Sequence, residues 1–299
     1  MHTRIVAALL GLALVAGACS SGTSLSTASG GRLQAVAAEN FWGSIARQLG
    51  SDKVTVKSII DNPDTDPHDY EPTASDGRAM ASAQYVIVNG IGYDPWADKL
   101  LKANPVSGRI VLNIGDLVGV KPGGNPHRWY SPPDVQKAID QITADYKRLQ
   151  PKPGAYFDQQ KAAFTSTGLG RYNSLIADIR AKHNGVPVGA SESIFSPLAE
   201  ALGLNLVTPP SFLNAISEGG EPTAADKATI ETQIKTHQIK VYVFNSQNST
   251  PDVQAQVNLA KSVGIPVVPI TETLEPANAS FQDWQANQLQ ALSAALATA

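Results

Sequence analysis

The sequence predicts an α/β protein of two βαβ-type lobes with parallel sheets, joined by a long linking helix. From Arg32 onward, short apolar runs bounded by Gly, Pro, Asn or Asp alternate with longer helical segments, which is typical of parallel βαβ units. The alternation occupies both halves of the chain, and a mostly polar, helical stretch from Ala155 to His183 separates them. The segment Thr165 to Gly170 predicts a bend or break in that stretch. One continuous doubly wound sheet is the alternative fold.

Eight short apolar runs predict the strands, four in each half. They lie at Leu33–Ala38, Val54–Ile60, Tyr85–Asn89, Ile110–Ile114, Val186–Ala190, Asn205–Val207, Val241–Asn245 and Pro266–Ile270. Helix starts are predicted from capping residues: Ser131 is expected to cap a helix whose first residue is Pro132. Two more starts are predicted at Thr223 with Asp226 and at Thr250 with Pro251.

The N-terminus predicts a lipoprotein signal peptide. A basic start precedes an apolar run, Ile5 to Ala18, which is shorter than the roughly 20 residues that a membrane-spanning helix needs. The run ends at Cys19, the only cysteine of the chain. We therefore expect Cys19 to be lipidated, with a buried or incidental thiol as the alternative. A single cysteine excludes an intramolecular disulfide.

These features divide the chain into five parts. They are the signal peptide at 1–19, a flexible tether at 20–31, the N-terminal lobe at 32–150, the linking helix at 151–184 and the C-terminal lobe at 185–299. We expect an exported monomer, anchored by its lipid to the outer face of the cell membrane. The formal net charge is −3 and no basic run is present, so nucleic acid is not expected as a partner.

Metal-competent side chains follow four of the predicted strands. In open α/β sheets, ligands bind beyond the carboxyl ends of the strands, so these side chains would face one cleft between the lobes. Two imidazoles and two carboxylates suit a first-row divalent metal. The four candidates are His68, His127, Glu192 and Glu272.

Each candidate also has a structural alternative. His68 alone could belong to a simple turn, and His127 could pack against Trp129 two residues later. Glu192 could cap the following helix, and Glu272 could be an ordinary loop acid. His183 and His237 are predicted to be structural, because each lies near the end of a predicted helix.

Four motifs resemble a known family in order and spacing. "PDTDPHDYEPTASD", "NPHRWYSP", "SESIFSPLAEALGL" and "PVVPITETL" are similar to motifs of the metal-binding lipoproteins of ABC importers, the zinc- and manganese-type cluster A-I solute-binding proteins. The resemblance covers the chain from Leu33 to the C-terminus. It implies two α/β lobes bridged by one long helix, with a single metal held by His68, His127, Glu192 and Glu272.

The ligand set departs from the zinc-type pattern of that family. Zinc members often have histidine where this chain has Glu192, and many carry a histidine-rich loop before the second motif. The corresponding stretch here, "GDLVGVKPGG", has no histidine. Both departures favour the manganese-type pattern. At the position of Glu272, the family usually has aspartate. Since such a site binds zinc more tightly at equal availability, the ligand set does not name the metal.

The predicted function is capture of one divalent metal ion, zinc or manganese, and its delivery to an ABC transporter permease. Asp66, Asp69 and Glu71 are available to support the imidazoles. The alternatives are a metal-dependent adhesin or metallochaperone and, least favoured, a membrane-anchored zinc hydrolase. No HExxH, GxSxG or P-loop motif is present, so an enzyme is not expected.

Overall fold

The computed structural model describes residues 31–63, 65 and 70–298. Cys19, predicted to be lipidated, and His68, predicted to be a ligand, lie outside the described residues. The strands are β1 (Leu33–Glu39), β2 (Val54–Ile60), β3 (Tyr85–Val88), β4 (Ile110–Asn113), β5 (Pro187–Ala190), β6 (Asn205–Leu206), β7 (Tyr242–Asn245) and β8 (Val267–Ile270). The helices are α1 (Asn40–Gly50), α2 (Ala74–Ser82), α3 (Pro95–Ala103), α4 (Ile114–Val118), α5 (Pro132–Leu149), α6 (Gly154–Ala163), α7 (Gly170–His183), α8 (Ser196–Leu202), α9 (Pro210–Ser217), α10 (Ala224–Lys235), α11 (Pro251–Ser262) and α12 (Phe281–Thr298).

Two separate parallel sheets form the two lobes, as predicted. The first has the strand order β2-β1-β3-β4 and the second has the order β6-β5-β7-β8, with every pairing parallel. The alternative of one continuous sheet is therefore wrong for this chain. Because both sheets are parallel, the loops after their strands meet along one edge of each lobe.

Helix starts agree with the capping prediction at two of three sites. The Thr223 side chain accepts the backbone N–H of Asp226, and the Thr250 side chain accepts that of Val253. Ser131 occupies the N-cap position of α5, but its side chain makes no capping hydrogen bond, so that part of the prediction is wrong.

The physical reason lies in the first turn of α5. Two prolines open that helix and have no backbone N–H to satisfy. The next two backbone N–H groups, of Asp134 and Val135, donate to the Ser131 carbonyl. The backbone N–H groups of the first turn of α5 therefore have acceptors without a side-chain cap.

A helical run connects the lobes and contains an irregular segment. Between α6 and α7, residues Phe164–Gly168 form a π-helical turn, which overlaps the predicted interruption at Thr165 to Gly170. Helix α12 packs along α7 and also reaches α1 of the first lobe. The largest apolar cluster of the described residues includes residues from both lobes, α7 and α12, and each lobe also has a smaller cluster of its own.

None of the described helices is long and apolar enough to cross a membrane.

Candidate metal site

Three of the four predicted ligands lie in the described part of the chain. His127 follows β4 and α4, Glu192 lies two residues after β5, and Glu272 lies two residues after β8. His127 is 1% exposed and Glu192 is 2% exposed, whereas Glu272 is half-buried. Buried ionisable side chains need hydrogen-bond or charge partners, so the contacts of these three decide what the site can do.

His127 of the first lobe and Glu272 of the second lobe meet across the cleft. The distance between His127 Nε2 and Glu272 Oε1 is 3.4 Å. The other ring nitrogen, Nδ1, lies 2.8 Å from Asn125 Oδ1. Asn125 donates its own amide Nδ2–H to the Ser193 carbonyl at 2.7 Å, which directs its oxygen toward the imidazole.

This arrangement sets the tautomer of His127. Because Asn125 presents an acceptor to Nδ1, that nitrogen carries the proton and Nε2 presents its lone pair toward Glu272 Oε1. Two electron-rich atoms 3.4 Å apart repel each other unless a proton or a cation lies between them. The donor set at this point therefore fits a metal cation.

The imidazole of His127 also packs, as the structural alternative supposed. Its ring lies edge-on to Trp129, with centroids 5.2 Å apart, and edge-on to Tyr93 at 6.2 Å. These contacts fix the plane of the ring and leave Nε2 directed at Glu272. Packing and a ligand role are thus compatible for this residue.

Glu272 is held on both carboxylate oxygens and on its backbone. Oε1 accepts the Tyr93 hydroxyl at 3.1 Å and Oε2 accepts the Asn245 amide at 3.2 Å. Gln247 Oε1 accepts the backbone N–H groups of Glu272 and Thr273, at 2.8 Å and 2.9 Å. Glu272 is therefore a fixed residue of the cleft and not an ordinary loop acid.

Glu192 does not cap the turn that follows it, contrary to the structural alternative. It occupies the N-cap position of the short 3-10 turn Ser193–Phe195, and its side chain makes no capping hydrogen bond. Its Oε2 instead accepts the Asn248 amide at 2.8 Å. The carboxylate is thus oriented by the loop that follows β7.

The phenol of Tyr130 lies within the electrostatic reach of both carboxylates. Burial raises the pKa of Tyr130 well above its usual range, and the negative charges of Glu272 and Glu192 raise this pKa further. Tyr130 donates its hydroxyl to the Thr271 carbonyl at 2.7 Å. Both acids are therefore close enough to the Tyr130 hydroxyl for their charges to act on its pKa.

Residues 31–63, 65 and 70–298 on their own do not complete a metal site, since no three His, Cys, Asp or Glu side chains among them converge to hold an ion. Of the acids predicted to support the imidazoles, Asp66 and Asp69 lie outside the described residues and Glu71 is exposed. Among the described residues, His127 Nδ1 contacts the amide oxygen of Asn125, a residue that the sequence did not single out.

The supporting residues that sequence reasoning missed are mostly amides. They are Asn125 beside His127, Asn245 and Gln247 beside Glu272, and Asn248 beside Glu192. The signal that could have found three of them is the stretch "NSQNST", which begins with the last residue of a predicted strand and places several amides at the same sheet edge as the acids.

Comparison with known proteins identifies the family. Residues 35–295 match the family model of the zinc-uptake complex component A, periplasmic. The chain belongs to this family. Among its relatives, the manganese ABC transporter substrate-binding lipoprotein PsaA of Streptococcus pneumoniae is 25% identical, over 88% of this chain and 85% of that protein. The high-affinity zinc uptake system protein ZnuA of Bacillus subtilis is 24% identical, over 79% of this chain and 77% of that protein.

Solved structures confirm the fold. A manganese-bound S38A mutant of a periplasmic metal-binding protein from Candidatus Liberibacter asiaticus superposes with a TM-score of 0.75 at 18% identity, covering 89% of this chain and 100% of that one. A crystal structure of ZnuA gives a TM-score of 0.69 at 21% identity, covering 89% and 98% of the two chains. These relatives are named as a substrate-binding lipoprotein of a manganese transporter and as a protein of a zinc uptake system, and not as enzymes, in agreement with the prediction.

Proposed function

We propose that this protein is an extracytoplasmic solute-binding lipoprotein that captures a divalent transition metal, zinc or manganese, and delivers it to an ABC permease. His127, Glu192 and Glu272 would bind the ion together with His68. The observation that carries the proposal is the 3.4 Å approach of His127 Nε2 to Glu272 Oε1 from opposite lobes. Membership of the zinc-uptake component A family supports the same function.

The chemistry of the donor set fits a transported ion. Imidazole nitrogen and carboxylate oxygen together accept zinc and manganese. The imidazole of His127 donates to the amide oxygen of Asn125, and both described carboxylates accept hydrogen bonds from uncharged amides, so no fixed positive charge of these partners neutralises the site. Since the ligands come from both lobes, metal binding would draw the lobes together and metal release would require that they separate.

The first test is metal content. A soluble protein that starts at Ser20 would be reloaded near neutral pH and examined by elemental mass spectrometry. We expect stoichiometric zinc or manganese in the wild-type protein. In His127→Ala we expect the affinity to fall by well over tenfold, because even residues that only support a ligand cost about 10–100-fold when removed.

The matched control for this test is His183→Ala, at the end of α7 and outside the cleft. Wild-type metal content in that variant separates loss of a ligand from loss of any histidine. If wild-type protein held no stoichiometric metal after reloading, the proposed function would be wrong. If His127→Ala bound metal normally, His127 would be removed from the site.

Anchoring and delivery need their own experiments. The protein with Cys19→Ser should leave the membrane fraction while the wild-type protein stays in it. Uptake of radioactive zinc or manganese by cells that lack the protein should be restored by wild type and not by His127→Ala. Normal uptake in cells without the protein would favour the adhesin or metallochaperone alternative.

A further inference from the structure

A groove of about 430 Å³ lies between the two lobes, beside the edge strand β2. One side is formed by α1 and β2 of the first lobe, and the other by the loop between β8 and α12 of the second lobe. Val56, Leu274 and Ala277 make up its apolar wall. None of the three described metal-site candidates lines it. A volume of this size is within the range of small-molecule sites in proteins.

Asn40 presents an amide donor to this groove. The residue is 4% exposed, and its Oδ1 accepts the Leu274 N–H at 3.2 Å. Flipping the amide would place two N–H donors against each other, so Nδ2 is the atom left over for another partner. Among the described residues, Asn40 Nδ2 has no hydrogen-bond acceptor. Since a buried donor without an acceptor costs free energy, an acceptor in the groove would stabilise this arrangement.

Ser58 of β2 brings a second polar group to the groove. It is 7% exposed, and in the part of the chain that the structure describes its hydroxyl has no hydrogen-bond partner. The hydroxyl lies against Gly43 of α1, where a Cβ would collide with Ser58 Oγ. Glycine at position 43 therefore leaves room for this hydroxyl beside the groove.

The charges that line the groove favour a ligand with one negative charge. Arg47, Lys57 and Asp61 all line it. Lys57 Nζ pairs with Asp76 at 3.2 Å, so its charge is already balanced. Arg47 is exposed on α1, and a guanidinium group binds carboxylates through two parallel N–H donors. The negative charge of Asp61 would oppose a doubly charged anion.

We propose that this groove binds a small organic anion that has one carboxylate and an apolar body. The carboxylate would accept hydrogen bonds from Asn40 Nδ2, Ser58 Oγ and the guanidinium of Arg47. Its two oxygens have enough lone pairs for these donors. The apolar body would lie against the apolar wall and be removed from water. Such a ligand provides partners for both buried polar groups that the described residues leave unpaired.

The test is an NMR titration of the full-length protein with benzoate, a carboxylate with an apolar body. Benzamide is the matched control ligand, because it has nearly the same shape and no charge. We expect benzoate to shift the side-chain NH₂ signals of Asn40 and the backbone N–H signal of Leu274 as it binds. Benzamide at the same concentrations should leave both signals where they are.

Two variants separate a binding role from a structural one. Ser58→Ala removes a hydroxyl and should lower the affinity for benzoate by about fivefold. Its free energy of unfolding, measured with urea and no ligand, should not fall below that of wild type. Arg47→Gln should lower the affinity by a similar factor, since it removes the positive charge. Arg78→Gln, exposed on α2, is the matched control and should bind benzoate as wild type does.

Three outcomes would overturn the inference. One is that benzoate leaves the Asn40 signals of the wild-type protein unshifted, a result that is decisive even if the variants fail to fold. Another is that benzamide or inorganic phosphate binds as well as benzoate. The third is that Ser58→Ala loses stability and keeps its affinity for benzoate, which would make the hydroxyl structural. Since the titration needs no metal, its failure would leave the proposed metal function as it stands.

Discussion

Glu39 and Asp94 form a buried carboxyl pair at the edge of the first lobe. Both are at most 3% exposed. Asp94 accepts the backbone N–H groups of Asn89 and Gly90 at 2.7 Å and 2.8 Å, yet burial still raises its pKa to about 6. Burial, and then the nearby Asp94 charge, raise the pKa of Glu39 well above its usual range. Burial therefore favours the protonated form of Glu39 in the folded state.

This pair predicts a pH-dependent contribution to stability. In the unfolded chain both carboxyl groups ionise at about pH 4, whereas the folded pair keeps its protons to higher pH. The folded state thus binds more protons, and the pair's contribution falls as pH rises from about 4 through the pKa of Asp94 near 6. Glu39→Gln replaces the carboxyl by an amide that does not titrate, so the free energy of unfolding of the variant relative to wild type should rise between pH 5 and pH 8.

Urea unfolding of both proteins at pH 5 and at pH 8 measures this difference. Glu200→Gln, an exposed glutamate of α8, is the control and should not change with pH relative to wild type. An equal stability difference between Glu39→Gln and wild type at both pH values would contradict the raised pKa of Glu39 in the folded state.

At the residue scale, the sequence predicted where the candidate ligands lie better than it predicted which side chains they contact. His127, Glu192 and Glu272 lie where the strand-end argument placed them, because parallel strands end at a common edge. Asn125 and Asn248 could not be assigned to their partners, since neutral amides in loops have no periodicity or charge pattern, and the atoms that they reach depend on the path of the loop. The metal-binding roles of the four candidates stay predictions.

The loop after β7, residues 246–250, is hydrogen-bonded to the loop after β8, which carries Glu272. Gln247 Oε1 accepts two backbone N–H groups of the β8 loop, and its Nε2 donates to Thr273 Oγ1 at 3.1 Å. Thr273 is 1% exposed, so solvent cannot easily replace these bonds. One side chain therefore fixes the backbone that carries Glu272.

Gln247→Ala should loosen that backbone. Losing the acceptor of two N–H groups should destabilise the protein by about 1–3 kcal/mol. Metal affinity should fall by roughly tenfold, because Glu272 loses its fixed position. Urea unfolding and competition titration measure the two effects, with Gln238→Ala, exposed after α10, as control. Unchanged metal affinity would show that Asn245 and Tyr93 hold Glu272 without Gln247.

At the element scale, the short apolar runs of the sequence were sufficient to predict where each strand begins and ends. Every predicted strand agrees with the structure to within one residue at each end. The sequence did not predict α4 (Ile114–Val118), which is too short for a helical period, or α9 (Pro210–Ser217), which begins after a proline. The predicted bend or break at Thr165 to Gly170 corresponds to the π-helical turn at Phe164–Gly168, where the Leu169 N–H donates to the Phe164 carbonyl.

At the scale of the whole molecule, one face of α1 joins the two lobes through polar groups. Asn40 Oδ1 accepts the Leu274 N–H at 3.2 Å, and Ser44 Oγ accepts the Phe281 N–H at 2.9 Å. One turn further, Gln48 and Gln282 exchange amide hydrogen bonds of 3.0 Å and 2.7 Å. The three residues of α1 are spaced by four, so they lie on one helix face. Polar groups of this kind can be rehydrated when lobes separate.

The Gln48–Gln282 pair is the outermost of these contacts, and its removal should speed metal release. Each of the two hydrogen bonds contributes about 0.5–1.5 kcal/mol, so Gln48→Ala should raise the rate of metal loss by roughly fivefold or more if both bonds break before the metal leaves. Stopped-flow transfer of zinc to a chelator measures this rate. Gln136→Ala, exposed on α5, should release metal at the wild-type rate.

A double-mutant cycle separates the pair from other effects of each substitution. If the two amides act only on each other, Gln48→Ala, Gln282→Ala and the double variant should release metal at similar rates, since either single change already breaks the exchange. Additive rates would show that each glutamine acts through other contacts. Wild-type rates in all three would show that α1 and α12 stay together when the metal leaves, so that the opening takes place at the cleft and its loops instead.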